Sequence, residues 1–467
     1  MTTKLKTDYL IVGSGAVGMA FADTLLTETD ANIIIVDRYA KPGGHWNVAY
    51  PFVTLHQPSQ FYGVSSKELS KGRVDEVGLN KGLNDLATGQ EVSAYFDDVM
   101  RHQFLPTGRV QYFPMCNYEG EGRFTSKLSG EAFEVDYDKL VDCTFLNTSV
   151  PSTHTPGFTI ADGVPFIPLN DLPKVTEAPE GYVVVGGGKT GIDAVLWMLE
   201  TGIDPDKITW IMPRDAWLIN RANTQPSMAF FENTMGAQAA QFESIANAEN
   251  MDDMFDRLEE SGYFLRIDTD VRPKMFHAAT VSEMEIEELR RVKNIVRMGR
   301  VSAIETDRIV LAEGEIPTST NHLHVDCSAS AITRADMIPV FNGNTITPQT
   351  VRAYQPVFSA SLIAHVEASS RDEAEKNRLC TVVPLPNSTY DYMRMTAAMM
   401  MNQYNWGQDK EIQAWMLENR LDGFSKMVSK VDPNDTEKMD ILNRLRGNAV
   451  PAMAKLQQFI AESAPAA

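Results

Sequence analysis

Long apolar runs, paired cysteines and an excess of basic residues are all missing from this sequence, and each absence removes a class of function. No stretch of about 18 consecutive apolar residues occurs anywhere in the chain, so no membrane-spanning helix is expected. The opening M-T-T-K-L-K-T-D-Y-L-I-V-G passes from a few polar residues straight into a strand pattern. It lacks the apolar segment and cleavage site of a secretory leader, and a cytoplasmic protein is expected. The four cysteines are Cys116, Cys143, Cys327 and Cys380, and the nearest two are 27 positions apart. That spacing suits neither a zinc knuckle nor a redox dithiol, so the cysteines read as small buried apolar residues and no metal site is expected. Lys and Arg number 42 against 62 Asp and Glu, a formal charge of −20. Such a surface repels nucleic-acid backbones and anionic membranes and leaves open only a local basic pocket.

The remaining composition, 43% hydrophobic and 22% charged over 467 residues, is that of a folded protein with room for several domains and a bound cofactor. From Asp8 the chain reads D-Y-L-I-V-G-S-G-A-V-G, an apolar strand pattern, then Gly13, Gly15 and Gly18, then the helical M-A-F-A-D-T-L-L. A glycine triplet between strand and helix brings helix N-terminal N–H groups onto a pyrophosphate. The first glycine turns the chain, the second lets backbone approach phosphate, and the third lets helix pack on strand. The next apolar run, residues 33–36, ends in Asp37, 24 positions after Gly13, where a carboxylate can accept from a ribose.

The pattern recurs as Y-V-V-V-G-G-G-K-T-G-I-D, with Gly186, Gly188 and Gly191 at the three motif positions. Lys189 and Thr190 lie inside this second loop; Lys189 either adds charge toward a phosphate or points to solvent. The following strand, 207–212, ends in Pro213-Arg214 rather than in an acid. A guanidinium there can fork onto a 2′-phosphate, which favours NADPH over NADH.

After Asp37 come K-P-G-G-H-W-N-V-A-Y-P and, after Arg214, D-A-W. With these strings the sequence resembles the flavin-dependent monooxygenases related to Baeyer–Villiger and N- or S-oxygenating enzymes. The resemblance implies an α/β fold with two Rossmann-like dinucleotide-binding domains, the FAD domain being split by the NADP domain, and a helical C-terminal region. The implied segments are 1–175 and 331–370 for FAD, 176–330 for NADP(H), and 371–467 for the helices. It implies FAD on the first loop, with Gly43, Gly44 and Trp46 beside it; a surface turn with a core tryptophan is the other reading. Gln355, in a Q-P turn opening a helix to Ala368, is expected under the flavin, with the helix N-terminus near Ser359 and Ala360. His56 falls near the flavin, as general base or peroxide donor or as a structural hydrogen-bonding residue. Arg266 falls where the family places an active-site arginine, or forms a surface ion pair with Asp268 or Asp270. His277 reads as a satisfied core histidine.

The sequence departs from the family in two places. Ile167 and Asp171 replace the histidine and aromatic of the linker signature, which weakens a Baeyer–Villiger assignment. D-C-T (142–144) and D-C-S (326–328) replace the usual A-T-G at the ends of the crossover strands. The implied activity is NADPH-dependent monooxygenation of a small molecule by O2 through a flavin hydroperoxide. A flavin reductase without oxygen insertion and a non-catalytic redox sensor are the alternatives, and homo-oligomerisation stays open. The methionines at 393–401 are either plain core or a plastic wall for a substrate.

Overall fold

The computed structural model describes residues 2–146, 148–330 and 336–463; Asn147 and residue 331, where the return to the first domain is expected to begin, lie outside the described residues. The chain is α/β, with a mixed eight-stranded sheet whose central strands are parallel, a separate all-parallel five-stranded sheet, and a helical C-terminal part. In the first sheet, Thr2–Val12 lies between Ile33–Val36 and Ala132–Asp142, parallel to both, and Ile33–Val36 pairs onward with Val110–Phe113. Every residue of Ile33–Val36 is buried. A parallel strand is covered on both faces, which is why this run is unbroken I-I-I-V rather than alternating. The helix Ala16–Glu28 follows the opening strand and packs on the helix Pro356–Ala368. Ten of the 13 residues of the latter are buried, as its apolar composition all round requires.

The second sheet runs Phe166–Pro168, His322–Asp326, Gly181–Val185, Ile208–Ile211, Ile295–Val296, all parallel. The chain then returns, and Thr345–Ile346 pairs with Ala132–Asp142 in the first sheet. The second sheet is thus inserted between strands of the first.

Residues 216–281 leave the second sheet altogether. They form a three-stranded sheet of Ala216–Asn220, Phe264–Leu265 and Met275–Val281, with the helices Phe231–Ala246 and Met251–Glu260. Against these pack the helices Thr389–Gln408 and Thr436–Glu462. The shared core is aromatic: fully buried Phe264 meets the rings of Trp217, Phe255, Tyr263, Phe276 and Tyr392 at 5.0–5.9 Å. Met393, Met395 and Met400 are buried here, whereas Met401 is 42% exposed, so most of the methionine patch is core. Among the described residues no helix is long and apolar enough to cross a membrane.

Candidate functional site

Both glycine loops sit between a parallel strand and the N-terminus of a helix. Gly13 has φ +99° and donates its N–H to the Val36 carbonyl at 2.8 Å, which turns the chain off the sheet. Gly15 is the N-cap of the helix Ala16–Glu28, and a Cβ on Gly18 would lie 2.0 Å from the Gly13 oxygen. The second loop repeats this. Gly186 has φ +135°, Gly188 is the N-cap of Lys189–Glu200, and a Cβ on Gly191 would lie 2.0 Å from the Gly186 oxygen. In front of Gly188 no protein atom comes within 4 Å of such a Cβ, so the helix end opens onto free space.

The two crossover triplets behave alike. Asp142 Oδ1 accepts from the N–H and hydroxyl of Thr144 at 2.9 and 2.6 Å, and Asp326 Oδ1 accepts from Ser328 at the same two distances. Each triplet closes a turn against the first glycine of its loop: Cys143 and Thr144 beside Gly13, Cys327 beside Gly186.

Gly43 and Gly44 lie against the first loop. Both have positive φ, Gly43 N–H donates to the Ser14 carbonyl at 2.8 Å, and a Cβ on Gly44 would come 2.9 Å from the Gly15 Cα. Trp46 is half-buried, its indole N–H donating to the Tyr62 hydroxyl at 2.8 Å, with the His45 ring stacked on it at 5.2 Å. Asp37 is buried and already accepts from Ser14 N–H, Ser14 hydroxyl and Tyr39 N–H at 2.5–2.7 Å. About four lone-pair sites exist on a carboxylate, so one remains for a ligand hydroxyl.

Arg214 is exposed at the end of the second sheet, and partial desolvation of its guanidinium together with the neighbouring Arg300 lowers its pKa. Asp215, the adjacent acid, is neutralised by a bidentate pair with Arg297 at 2.7 and 3.0 Å. Arg214 and Arg300 therefore leave a local cationic spot on an acidic protein. Arg300, remote in sequence, gave no signal.

The two sheets meet around His56. Tyr50 hydroxyl donates to Asp193 Oδ2 at 2.6 Å, and Lys189 pairs with the same carboxylate, so the Lys189 side chain is held inside the protein rather than pointing into solvent. Thr190 makes no side-chain hydrogen bond to a described residue. Arg221, 1% exposed, donates to the His56 carbonyl at 3.0 Å and to Asn80, Thr280 and Glu285, joining residues of the first sheet's segment to those inserted after the second. The His56 imidazole has no hydrogen-bond partner among the described residues. Burial, with Lys189 and Arg221 nearby, holds its pKa well below the usual 6.5, and burial lowers that of His45 to about 4.

Three expectations are corrected. Arg266 pairs with Glu259 at 2.7 Å, not with Asp268 or Asp270, and lies 5.8 Å over the buried Trp217 ring. A carboxylate seven positions earlier on the same helix–strand unit captures it. His277 is exposed and bonds Asn387 Oδ1 at 2.6 Å, because its strand lies at the edge of the small sheet. The helix expected near Ser359 begins at Pro356; Gln355 is its buried N-cap residue, and Ser359 sits a turn inside, its hydroxyl donating to the Gln355 carbonyl at 2.9 Å.

Gln355 also lines a cavity of about 540 Å³. Its walls are one face of the helix Phe231–Ala246, the ends of Thr389–Gln408 and Lys410–Glu418, the short helix Ser425–Ser429, and the segment 352–355. Gln57, next to His56, belongs to the same wall.

No family model matches the chain. Uncharacterized protein Rv2000 of Mycobacterium tuberculosis (strain ATCC 25618 / H37Rv) is 45% identical over 456 residues, which is 97% of this chain and 84% of that protein. Mb2023 of Mycobacterium bovis matches to the same extent. The chain belongs to their family. Similar solved structures include an ε-caprolactone-bound cyclohexanone monooxygenase, 14% identical, TM-score 0.49, covering 81% of this chain and 93% of that one. Cyclohexanone monooxygenase from Rhodococcus sp. Phi1, bound to NADP+, is 11% identical with TM-score 0.48, covering 78% and 84%. A flavin monooxygenase mutant from Stenotrophomonas maltophilia is 12% identical with TM-score 0.46, covering 79% and 100%.

Two outcomes follow from this geometry. Gly191→Ala forces a methyl onto a carbonyl and lowers the melting temperature by several degrees, whereas Gly188→Ala, with open space and φ −82°, leaves it unchanged. Because His45 and His56 titrate lower in the folded state than in the unfolded one, their share of stability is present above about pH 6.5 and is lost as pH falls toward 4. Melting scans from pH 7 to about 4.5 should therefore fall less steeply for a His45→Gln/His56→Gln variant than for the unaltered chain.

Proposed function

We propose that the chain is an FAD-containing, NADPH-dependent monooxygenase that transfers one oxygen atom of O2 to a small organic substrate. The observation that supports this most is the pair of glycine-opened helix N-termini joined through Tyr50, Asp193 and Lys189 beside a neutral His56. The residues present fit two dinucleotides. Gly13, Gly15 and Gly18, with the left-handed Gly43 and Gly44 against them, form a cradle that any Cβ would fill, suited to the FAD pyrophosphate. Asp37 would take the ribose, and Trp46 would wall the ring system. Gly186, Gly188, Thr190 and Gly191 would hold the pyrophosphate of NADPH, and Arg214 with Arg300 its 2′-phosphate.

The chemistry FAD supplies when bound is hydride acceptance from NADPH and activation of O2. Over a turnover, substrate, O2, NADPH and a proton give oxygenated product, water and NADP+. The protein's share is alignment and the exclusion of water. His56 is too weakly basic to take a proton near neutral pH, so its environment supports hydrogen-bond donation from a neutral ring. Gln355, capping a helix N-terminus on the cavity wall, would face both flavin and substrate. Lys189 is held by Asp193 and orients Tyr50 rather than binding phosphate.

The test is anaerobic mixing with NADPH followed by air containing oxygen-18. Bleaching of the flavin band and labelled product are expected. No bleaching sinks both enzyme readings, and bleaching with all reducing equivalents recovered as hydrogen peroxide means a reductase. Arg214→Ala should weaken NADPH roughly 10–100-fold, the loss of one or two charge-assisted bonds, and NADH hardly at all. Equal effects on both coenzymes would count against the 2′-phosphate role.

A further inference from the structure

The cavity of about 540 Å³ carries an unusual set of polar groups. Gln57 from a loop, and Gln238 and Gln403 from two different helices, are half-buried, line it, and have no hydrogen-bond partner among the described residues. Gln241, on the same helix as Gln238, shows the contrast: its amide donates to the Tyr392 hydroxyl at 2.8 Å. The amides of Gln57, Gln238 and Gln403 are not spent on the protein, so three primary amides around one cavity are available to pair with a ligand. Each offers two N–H donors beside one carbonyl acceptor.

Charge narrows the ligand further. Among the described lining residues the charged side chains are Arg352 and Asp422, and they neutralise each other at 2.8 Å. The Arg352 guanidinium is also packed 3.6 Å from the Phe358 ring, which leaves its charge committed to the protein. Tyr263 and Tyr354, on the same wall, are held in the neutral phenol form because burial pushes their pKa values well above 10. An ionic guest would enter with no counter-charge, at a cost of several kcal/mol. Phe242 and Met399, one helical turn from Gln238 and Gln403, line the cavity beside the amides together with Trp406 and Leu445, an apolar bed.

We infer that this cavity binds an uncharged molecule with an apolar body and an amide-like group, a donor adjacent to an acceptor as in a carboxamide, lactam or urea. Calling that molecule the substrate rests on the monooxygenase reading; the binding itself does not. A volume of this size is that of a drug-sized ligand site.

The experiment is calorimetric titration of the purified protein with three matched probes: adamantanecarboxamide, adamantanecarboxylate and adamantylammonium. The carboxamide is expected to bind at least ~10-fold more tightly than either ion. Gln238→Met and Gln403→Met, which keep side-chain length and remove the amide, should each weaken the carboxamide ~3–10-fold and narrow its lead over the carboxylate. Far-UV circular dichroism and melting of both variants identify any that are misfolded, and the remaining one decides. The inference is overturned if the carboxamide fails to bind up to its solubility limit, if either ion binds as tightly, or if both folded variants bind all three probes unchanged. NADPH bleaching of the flavin, measured separately, reports on the monooxygenase reading, so either idea can fall without the other.

Discussion

At each glycine loop the carbonyl of the first glycine occupies the place where the third residue's side chain would begin. Gly18 against Gly13 and Gly191 against Gly186 bring helix and strand to a separation that no other residue tolerates. Everything nearby depends on that approach. It aims the two helix N-termini, with their unpaired N–H groups, at the open ends of the two sheets. It also brings Gly43–Gly44 and the D-C-T and D-C-S turns into contact with the loops, so that each loop is a shared product of three chain segments.

Alignment of the two sheets is a separate matter, and polar contacts set it. Arg221 is almost wholly enclosed, yet its guanidinium is satisfied by the His56 and Thr280 carbonyls, Asn80 and Glu285. A buried cation so compensated is stable only when every partner is in place, which makes the peptide carrying His56 part of a rigid frame. Tyr50 and Lys189 converge on Asp193 from the two units and serve the same end. The cavity bordered by Gln57 is kept free of uncompensated charge.

Local contacts were legible in the sequence and remote ones were not. Strand, glycine triplet and helix follow one another within about a dozen residues, so both loops could be read directly, whereas the start of the helix after Gln355 was expected a turn too late. Arg266 illustrates the opposite case, because a motif-based placement ignores Glu259, which reaches it first. His277 sits in an apolar run, but the run lies on an edge strand, where alternate residues face outward. Arg300 beside Arg214, and the convergence of Gln57, Gln238 and Gln403, join positions tens to hundreds of residues apart. Helical periodicity could mark which face of Phe231–Ala246 is apolar, but not which elements would close over it.

The return of the chain to its first sheet has a bearing on synthesis. The helix Ala16–Glu28 is covered by Pro356–Ala368, which emerges some 340 positions later. At roughly 5–20 residues per second the nascent opening unit waits on the order of tens of seconds with that apolar flank bare. The inserted sheet has all its own strands by Asp326 and is free to fold sooner. The amino-terminal half is therefore the last to close on the ribosome, and it is the part most in need of a chaperone's shelter.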